Sequence, residues 1–169
     1  MSLKATIFFS VWTSLFCSIF NAIYMMLPVM GGHPWIMFIC LAVFFGMNSQ
    51  PKDAIPQALS ATCGVFWGQF DLFLMTFGVF GSAGFGFLPI LVGTTITMIL
   101  HIYFFGKLPI GVMPFIFAAV ALTFATGTGL MDWAGMLGLW LSILFGLCLC
   151  AICAYGMQIG LTKWPAQEA

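Results

Sequence analysis

The sequence has 169 residues, of which 63% are hydrophobic and 5% are charged, and its four basic and four acidic side chains balance. Soluble domains carry charges on about a quarter of their residues, so this composition excludes a soluble fold. The charged residues form no basic run, which argues against a nucleic-acid partner. A transmembrane helix needs about 20 apolar residues, so the chain has room for about six such helices.

Glycines, prolines and short polar stretches divide the chain into six apolar segments. The first segment is too long for the apolar region of a signal peptide, and no small-x-small cleavage site follows it, so we interpret it as a retained span. The sequence predicts an all-α fold, a polytopic integral membrane protein with a single transmembrane domain over residues 1–169. The six predicted transmembrane helices are Ala5–Leu27, Pro34–Met47, Ala54–Phe80, Phe87–Phe105, Ile110–Ala125 and Trp133–Ile159.

The lysines set the predicted orientation, because arginine is absent. With six spans, Lys4 precedes the first helix, Lys52 and Lys107 lie in the second and fourth connections, and Lys163 follows the last helix. All four then lie on one side of the membrane, which the positive-inside rule makes cytoplasmic. We expect both termini to be cytoplasmic.

Two stretches of the chain resemble each other. Phe38–Phe45 of the second helix echoes Phe115–Leu122 of the fifth, and each is followed by a polar break, an aspartate and a longer helix. The longer helices share a serine with a glycine four residues later, beginning at Ser60 and Ser142. The alternative is chance similarity between phenylalanine-rich helices. A true repeat of three helices would be inverted in the membrane, with halves at about residues 1–82 and 83–169.

The second and fifth helices are the shortest predicted spans, and they stand at corresponding positions of the two halves. Inverted repeats place a substrate site near the bilayer midplane, at the interface between the halves. Paired short helices that end in polar stretches therefore indicate a binding region or a pore.

Asp71 is the most informative single residue, because it lies in the middle of an apolar run. A carboxylate is costly in hydrocarbon and usually marks a proton or ion pathway or a contact between helices. Its functional interpretation is a site for a proton, a cation or a polar solute. Its structural interpretation is a hydrogen bond to a hydroxyl on the fourth or sixth helix, or a contact between protomers. Gln69 lies about 200° around the helix from Asp71 and does not share its face.

His101 lies in the inner third of the fourth helix. We do not expect a direct ion pair with Asp71, because their depths differ by about ten residues at about 1.5 Å each. Haem ligation together with His33 is not expected either, since the two histidines lie on opposite sides of the membrane. Snorkelling of the imidazole to the membrane interface is the structural alternative.

Hydroxyl side chains on the first and fourth helices either bond to the carbonyl four residues earlier or line a polar slot. Small residues spaced by four on the third and sixth helices, at positions 60, 64 and 68 and at 138, 142 and 146, predict close helix contacts. The six cysteines all lie in predicted spans, where we expect them to pack as small apolar residues. The candidate substrate or pore residues are Asp71, Asn48, Thr94, Thr97, Thr123, Thr126 and His101.

The sequence also resembles a known family. The residues that carry this resemblance in the second half are Thr123-Phe124-Ala125, Gly129, Asp132-Trp133 and Leu141-Ser142 through Gly146, and in the first half Trp35–Phe45 and Gly64-Val65-Phe66-Trp67. On them the chain resembles the YcdZ-like family of uncharacterised small bacterial inner-membrane proteins. The break after the second helix departs from the family's usual cysteine-proline and glycine pattern. The resemblance implies a bacterial inner-membrane protein of five or six helices and supplies no activity.

Two functions follow as hypotheses. The first is a small channel or transporter for a small neutral or weakly polar solute, because the few charges do not suggest an ion filter. The second is a structural or accessory subunit, which packs against copies of itself or against other membrane proteins in the lipid bilayer. The sequence contains no catalytic triad, paired carboxylates, phosphate-binding loop or metal-ligand cluster. We therefore expect no enzyme activity, cofactor or metal.

Overall fold

The computed structural model describes residues 1–78 and 87–165. Within these residues the chain forms six α-helices and no strand, which confirms the predicted all-α class for this part of the molecule. Short 3-10 turns at Pro28–Met30 and Pro51–Asp53 precede the second and third helices, and a π-helical turn at Ile99–Phe104 extends the fourth. The helices are α1 (Leu3–Met25), α2 (Ile36–Gly46), α3 (Ala54–Met75), α4 (Leu88–Met98), α5 (Met113–Ala125) and α6 (Trp133–Lys163).

The helix ends differ from the predicted ends by a few residues, for local reasons. Helix α1 begins earlier because the Ser2 side chain accepts a hydrogen bond from the Ala5 amide and caps the first turn. Helix α6 continues to Lys163 because Gly160 packs against α1 instead of ending the helix. Helix α3 ends at Met75 rather than continuing to the predicted Phe80. The predicted break at residues 81–84 and the boundary between the two halves lie outside the described residues.

Three of the helical stretches are long and apolar enough to cross a membrane, namely residues 3–25, 51–75 and 133–163. The other three apolar helices are shorter, and α2 and α5 have only 11 and 13 residues. Helix length and composition therefore support three spans, fewer than the six predicted from the sequence. The shortness of α2 and α5 arises because non-helical turns occupy the positions on both sides of each helix.

Helices α2, α3, α5 and α6 surround the main apolar core. Phe44, Phe115 and Ile143 are almost completely buried in it. Helices α1 and α4 pack on the outside of this group, α1 against α6 and α4 against α3. Long apolar side chains remain exposed on the outer faces of the bundle, as expected for helices that contact lipid.

The long helices α3 and α6 each pack against the other half of the chain. Helix α3 contacts α4 and α5, while α6 contacts α1 and α2. The predicted small-residue seams make these contacts close: a Cβ atom added at Gly64 or Gly68 of α3 would collide with α5, and one at Gly146 of α6 would crowd Cys40 of α2. The two long helices therefore hold the first and second halves together.

The four lysines lie at one end of the bundle, which we call the lysine end. The Ser2 hydroxyl donates to the Trp164 carbonyl (2.7 Å) and joins the beginning of α1 to the end of α6. The Gln158 amide donates to Gln50 Oε1 (2.6 Å), which brings the turn containing Lys52 to the same end. The turn that follows Lys107 reaches the first part of α3, because the Ser60 hydroxyl donates to the Pro109 carbonyl (3.3 Å).

Candidate functional site

The candidate residues from the sequence do not converge on a single site in the described part of the chain. Asp71, Thr97 and His101 lie at the contact between α3 and α4. Thr123 faces α3 from α5, and Asn48 ends α2. The hydroxyl of Thr97 bonds to its own helix, and Thr94 is half-buried on the same helix.

The Asp71 carboxyl lies against the backbone of α4. Its side chain is 4% exposed, and a Cβ atom added at Gly93 would collide with its Oδ1 atom. This oxygen is buried without a hydrogen-bond partner, so the bond to a hydroxyl of α4 or α6 that the sequence suggested does not form at Oδ1. The nearby Thr97 hydroxyl donates instead to the Gly93 carbonyl (2.8 Å).

His101 links three segments of the chain. The Trp67 indole N–H of α3 donates to His101 Nε2 (2.9 Å), and His101 Nδ1 lies 2.7 Å from the Ile110 carbonyl. An indole nitrogen can only donate, so Nε2 is the acceptor and Nδ1 carries the proton that bonds the carbonyl. At 2% exposure the imidazole does not snorkel to a membrane interface, so that interpretation of His101 was wrong.

The polar residues at the end of α5 are bonded within their own segment. The Thr123 hydroxyl donates to the Ala119 carbonyl (3.0 Å), and the Thr126 hydroxyl donates to the Leu122 carbonyl (2.9 Å). Thr126 Oγ1 also lies 2.8 Å from the hydroxyl of Thr128. These bonds satisfy the hydroxyls locally and favour a packing role for both candidates.

Asn48 serves as a helix end. Its φ of 54° lies in the left-handed region, and the Ser49 amide donates to the Phe44 carbonyl (3.1 Å). The end of α5 repeats this pattern: Gly127 has a φ of 69°, and the Thr128 amide donates to the Thr123 carbonyl (3.2 Å). Both are Schellman-type ends, for which asparagine and glycine are the favoured residues.

Each short helix is held at its beginning by a serine from the long helix of the other half. The Ser142 hydroxyl of α6 lies 2.9 Å from the Met30 carbonyl, in the turn before α2, and 2.7 Å from the Gly138 carbonyl of its own helix. The Tyr24 hydroxyl also donates to Met30 (2.7 Å). Before α5, Ser60 of α3 accepts from the Val112 amide (3.0 Å). The sequence identified both serines only as members of packing seams, since their partners lie far away along the chain.

A glutamine from the same long helix holds the end of each short helix. The Gln69 side chain donates to the Gly129 carbonyl (3.2 Å) and accepts from the Met131 amide (2.7 Å), after α5. Gln158 of α6 bonds Gln50 after α2. Sequence reasoning placed Gln69 on a different face from Asp71, and it does point to α5 while Asp71 points to α4. We call the four residues Ser60, Gln69, Ser142 and Gln158 the clamp residues.

Apolar side chains close the contact between α2 and α5. Ile39, Cys40 and Val43 of α2 face Ala118, Ala119 and Leu122 of α5, and the space between them has no room for a water molecule. An open apolar groove of about 270 Å³ lies elsewhere, between α3 and α6, where the Trp140 indole donates to the Thr62 hydroxyl (2.8 Å). The described residues include no group of three histidine, cysteine or acidic side chains that could hold a metal ion.

A family model described as "Protein of unknown function (DUF1097)" matches residues 5–161, almost the whole chain. The chain belongs to the DUF1097 family. The expectation of an uncharacterised family is therefore confirmed, while the match does not support the YcdZ-like family specifically. No curated protein and no solved structure matches this DUF1097 chain.

Proposed function

We propose that this DUF1097 protein is a small membrane channel or transporter, and that it carries a small neutral or weakly polar solute between two inverted halves of three helices. The observation that carries this proposal is the exchange of clamp residues between the halves. Ser60 and Gln69 of the first half hold both ends of α5, and Ser142 and Gln158 of the second half hold both ends of α2. Inverted-repeat transporters pair short or interrupted helices in this way around the substrate site.

The clamps also support a crossing of the membrane by all six helical segments. An 11-residue α2 rises only about 16 Å, roughly half of a hydrocarbon layer of about 30 Å. The turns on either side of α2 and α5 must then lie partly at membrane depth. Non-helical backbone is tolerated there when protein buries it and satisfies its polar groups. The clamp residues supply hydrogen bonds of this kind to the turns around α2 and α5. The lysine end would face the cytoplasm of a bacterial inner membrane.

In this proposal, the closed contact between α2 and α5 corresponds to an occluded conformation. A solute path along the interface of the halves would open where Val43 and Ala118 now meet. Its walls are apolar with few polar groups, so the solute would be neutral and small. A charged species would need a charged or carbonyl-lined filter.

Reconstituted vesicles test the proposal by light-scattering uptake of urea-sized neutral solutes. Wild-type vesicles should equilibrate faster than protein-free vesicles. Ala118→Leu should slow uptake, because the larger side chain would obstruct the interface between α2 and α5 where the solute path is proposed to open. Ala22→Leu is the matched control, since the same change falls on an exposed face of α1 and should leave uptake unchanged. Wild-type uptake no faster than that of empty vesicles would overturn the proposal.

One observation favours the second candidate, a structural or accessory subunit. The hydroxyls of Thr97, Thr123 and Thr126 all bond to their own helices and leave no polar path between the halves of the described chain. Such a subunit would co-purify with a larger membrane assembly. Vesicles that contain it would take up solute no faster than protein-free vesicles.

A further inference from the structure

The environment of Asp71 is built for an uncharged carboxyl group. Its side chain is almost completely buried, and Oδ1 has no hydrogen-bond partner. The missing side chain of Gly93 provides the space for this oxygen, since any Cβ atom there would collide with it. A buried charge without a partner is costly, so the closed contact between α3 and α4 accommodates the protonated acid.

No cation faces this carboxyl in the described part of the chain. The π turn after α4 carries His101, whose two ring nitrogens bond the Trp67 indole and the Ile110 carbonyl, and an exposed Tyr103. Asp132 at the beginning of α6 accepts from the Gly135 amide and is exposed. The lysines gather at the lysine end, whereas Asp71 lies near the opposite end of α3. Ionisation of Asp71 would therefore require water to enter the contact.

Helix α4 is attached so that water could enter on one side. Its principal contact in the described part of the chain is with α3, and the described hydrogen bonds that join it to other segments lie at the π turn, where His101 joins Trp67 to the Ile110 carbonyl. The middle of α4, at Gly93, packs against Asp71 of α3. A pivot at the π turn would move Gly93 away from Asp71, and π-helical turns are common at functional sites.

The equivalent outer contact in the other half has no carboxyl. Where α1 meets α6, the Trp12 indole fills the space beside Gly156 and donates to the Ile152 carbonyl (3.0 Å). That contact has its hydrogen bond satisfied and needs no proton. The contact at Gly93 of α4 therefore differs from the contact at Gly156 of α6, because Asp71 is a group whose charge can change.

We propose that Asp71 is a proton-binding site, and that release of its proton separates α4, at Gly93, from α3. The bound ligand is a hydrogen ion, held as the carboxylic acid O–H, and opening of the contact exposes the carboxylate to water. The site goes beyond the proposed function, because proton binding at Asp71 requires no solute path. A labelling experiment can therefore succeed or fail independently of the uptake experiment.

A membrane-soluble carbodiimide tests the proton site. The acid proton moves to a nitrogen of the reagent while a carboxyl oxygen bonds its central carbon, so only the protonated acid reacts. Peptide mapping by mass spectrometry of the whole protein in vesicles should find the adduct on Asp71, and Asp71→Glu should retain it. Above the titration midpoint, labelling should fall about tenfold for each pH unit. Asp53 and Asp132, outside the helices, are internal controls.

Two results would overturn the site. One is the absence of an adduct at Asp71 at any pH in protein that remains folded by circular dichroism. The other is labelling that stays constant from about pH 5 to pH 9, since a proton that is never released has only a structural role. Because mapping locates the adduct in the wild-type protein, the test does not depend on a variant that folds.

Hydrogen–deuterium exchange tests the separation of α4. In the wild-type protein, exchange in residues 88–98 should increase above the labelling midpoint, relative to α6 at the same pH. Asp71→Asn should keep this exchange low at every pH, because the amide matches the neutral acid in size and cannot ionise. Equal exchange of α4 in both proteins across the titration would refute the coupling between the proton and the helix.

Discussion

At the scale of single residues, glycines decide how closely the two halves approach. Gly64 and Gly68 lie where α3 meets α5, and a Cβ atom at either position would collide with atoms of α5. At Gly64 the obstructing atoms include the backbone carbonyl of Ile116 and the Cβ of Ala119, neither of which can rotate away. Sequence spacing alone identified these glycines as a seam, because small residues four apart share one helix face.

Gly64→Ala should lower the free energy of unfolding by about 1–3 kcal/mol, because the added methyl group forces α3 and α5 apart. Gly46→Ala is the matched control: nothing lies within 4 Å of a Cβ atom at Gly46, so this variant should have near wild-type stability. Denaturant unfolding in detergent micelles, followed by circular dichroism, compares the two. Equal stability of both variants would show that α3 and α5 are less closely packed than described.

At the scale of helices, the short α2 and α5 depend on helices that are distant in the sequence. Ser142 and Gln158 of α6 bond the turns around α2, and Ser60 and Gln69 of α3 bond the turns around α5. Each short helix therefore receives side-chain hydrogen bonds near both ends from the long helix of the other half. Each half therefore lacks the partner that would complete it.

Separate expression of residues 1–82 and 83–169 tests this dependence. Each fragment alone should be degraded or should aggregate, because the clamp partners of its short helix are missing. Co-expressed fragments should associate and co-purify through an affinity tag on one of them. The double variant Ser142→Ala/Gln158→Ala is the control, and it should weaken recovery of the complex. A fragment that is stable and monomeric on its own would contradict the exchange of contacts between the halves.

At the scale of the whole molecule, the lysines give the bundle a direction. Contacts between Ser2 and Trp164 and between Gln50 and Gln158 bring segments that are far apart in the sequence to the lysine end. By the positive-inside rule, we propose that this end faces the cytoplasm. Helix length by itself supports three crossings, and six crossings are part of the proposal.

Reporter fusions test the number of crossings. Fusions after Gly31, Gly84 and Gly129 should report an external location, and fusions after Lys52 and Lys107 should report the cytoplasm. Moving one lysine, through Lys52→Gln combined with Gly129→Lys, should reduce the cytoplasmic signal, because the charge difference sets orientation. A cytoplasmic signal after any of the three glycines would break the six-span arrangement.

The sequence by itself determined the all-α class, the approximate helix positions, the close-packing seams and the isolation of Asp71, because hydrophobic continuity and residue spacing are local properties. It could not determine that Asp71 faces Gly93, that Trp67 bonds His101, or that Asn48 adopts the left-handed conformation after α2. The tertiary structure decided these points, because each depends on a partner brought close by helix packing. The clamp residues are the strongest case, since Ser142 and its partner Met30 are 112 positions apart in the chain.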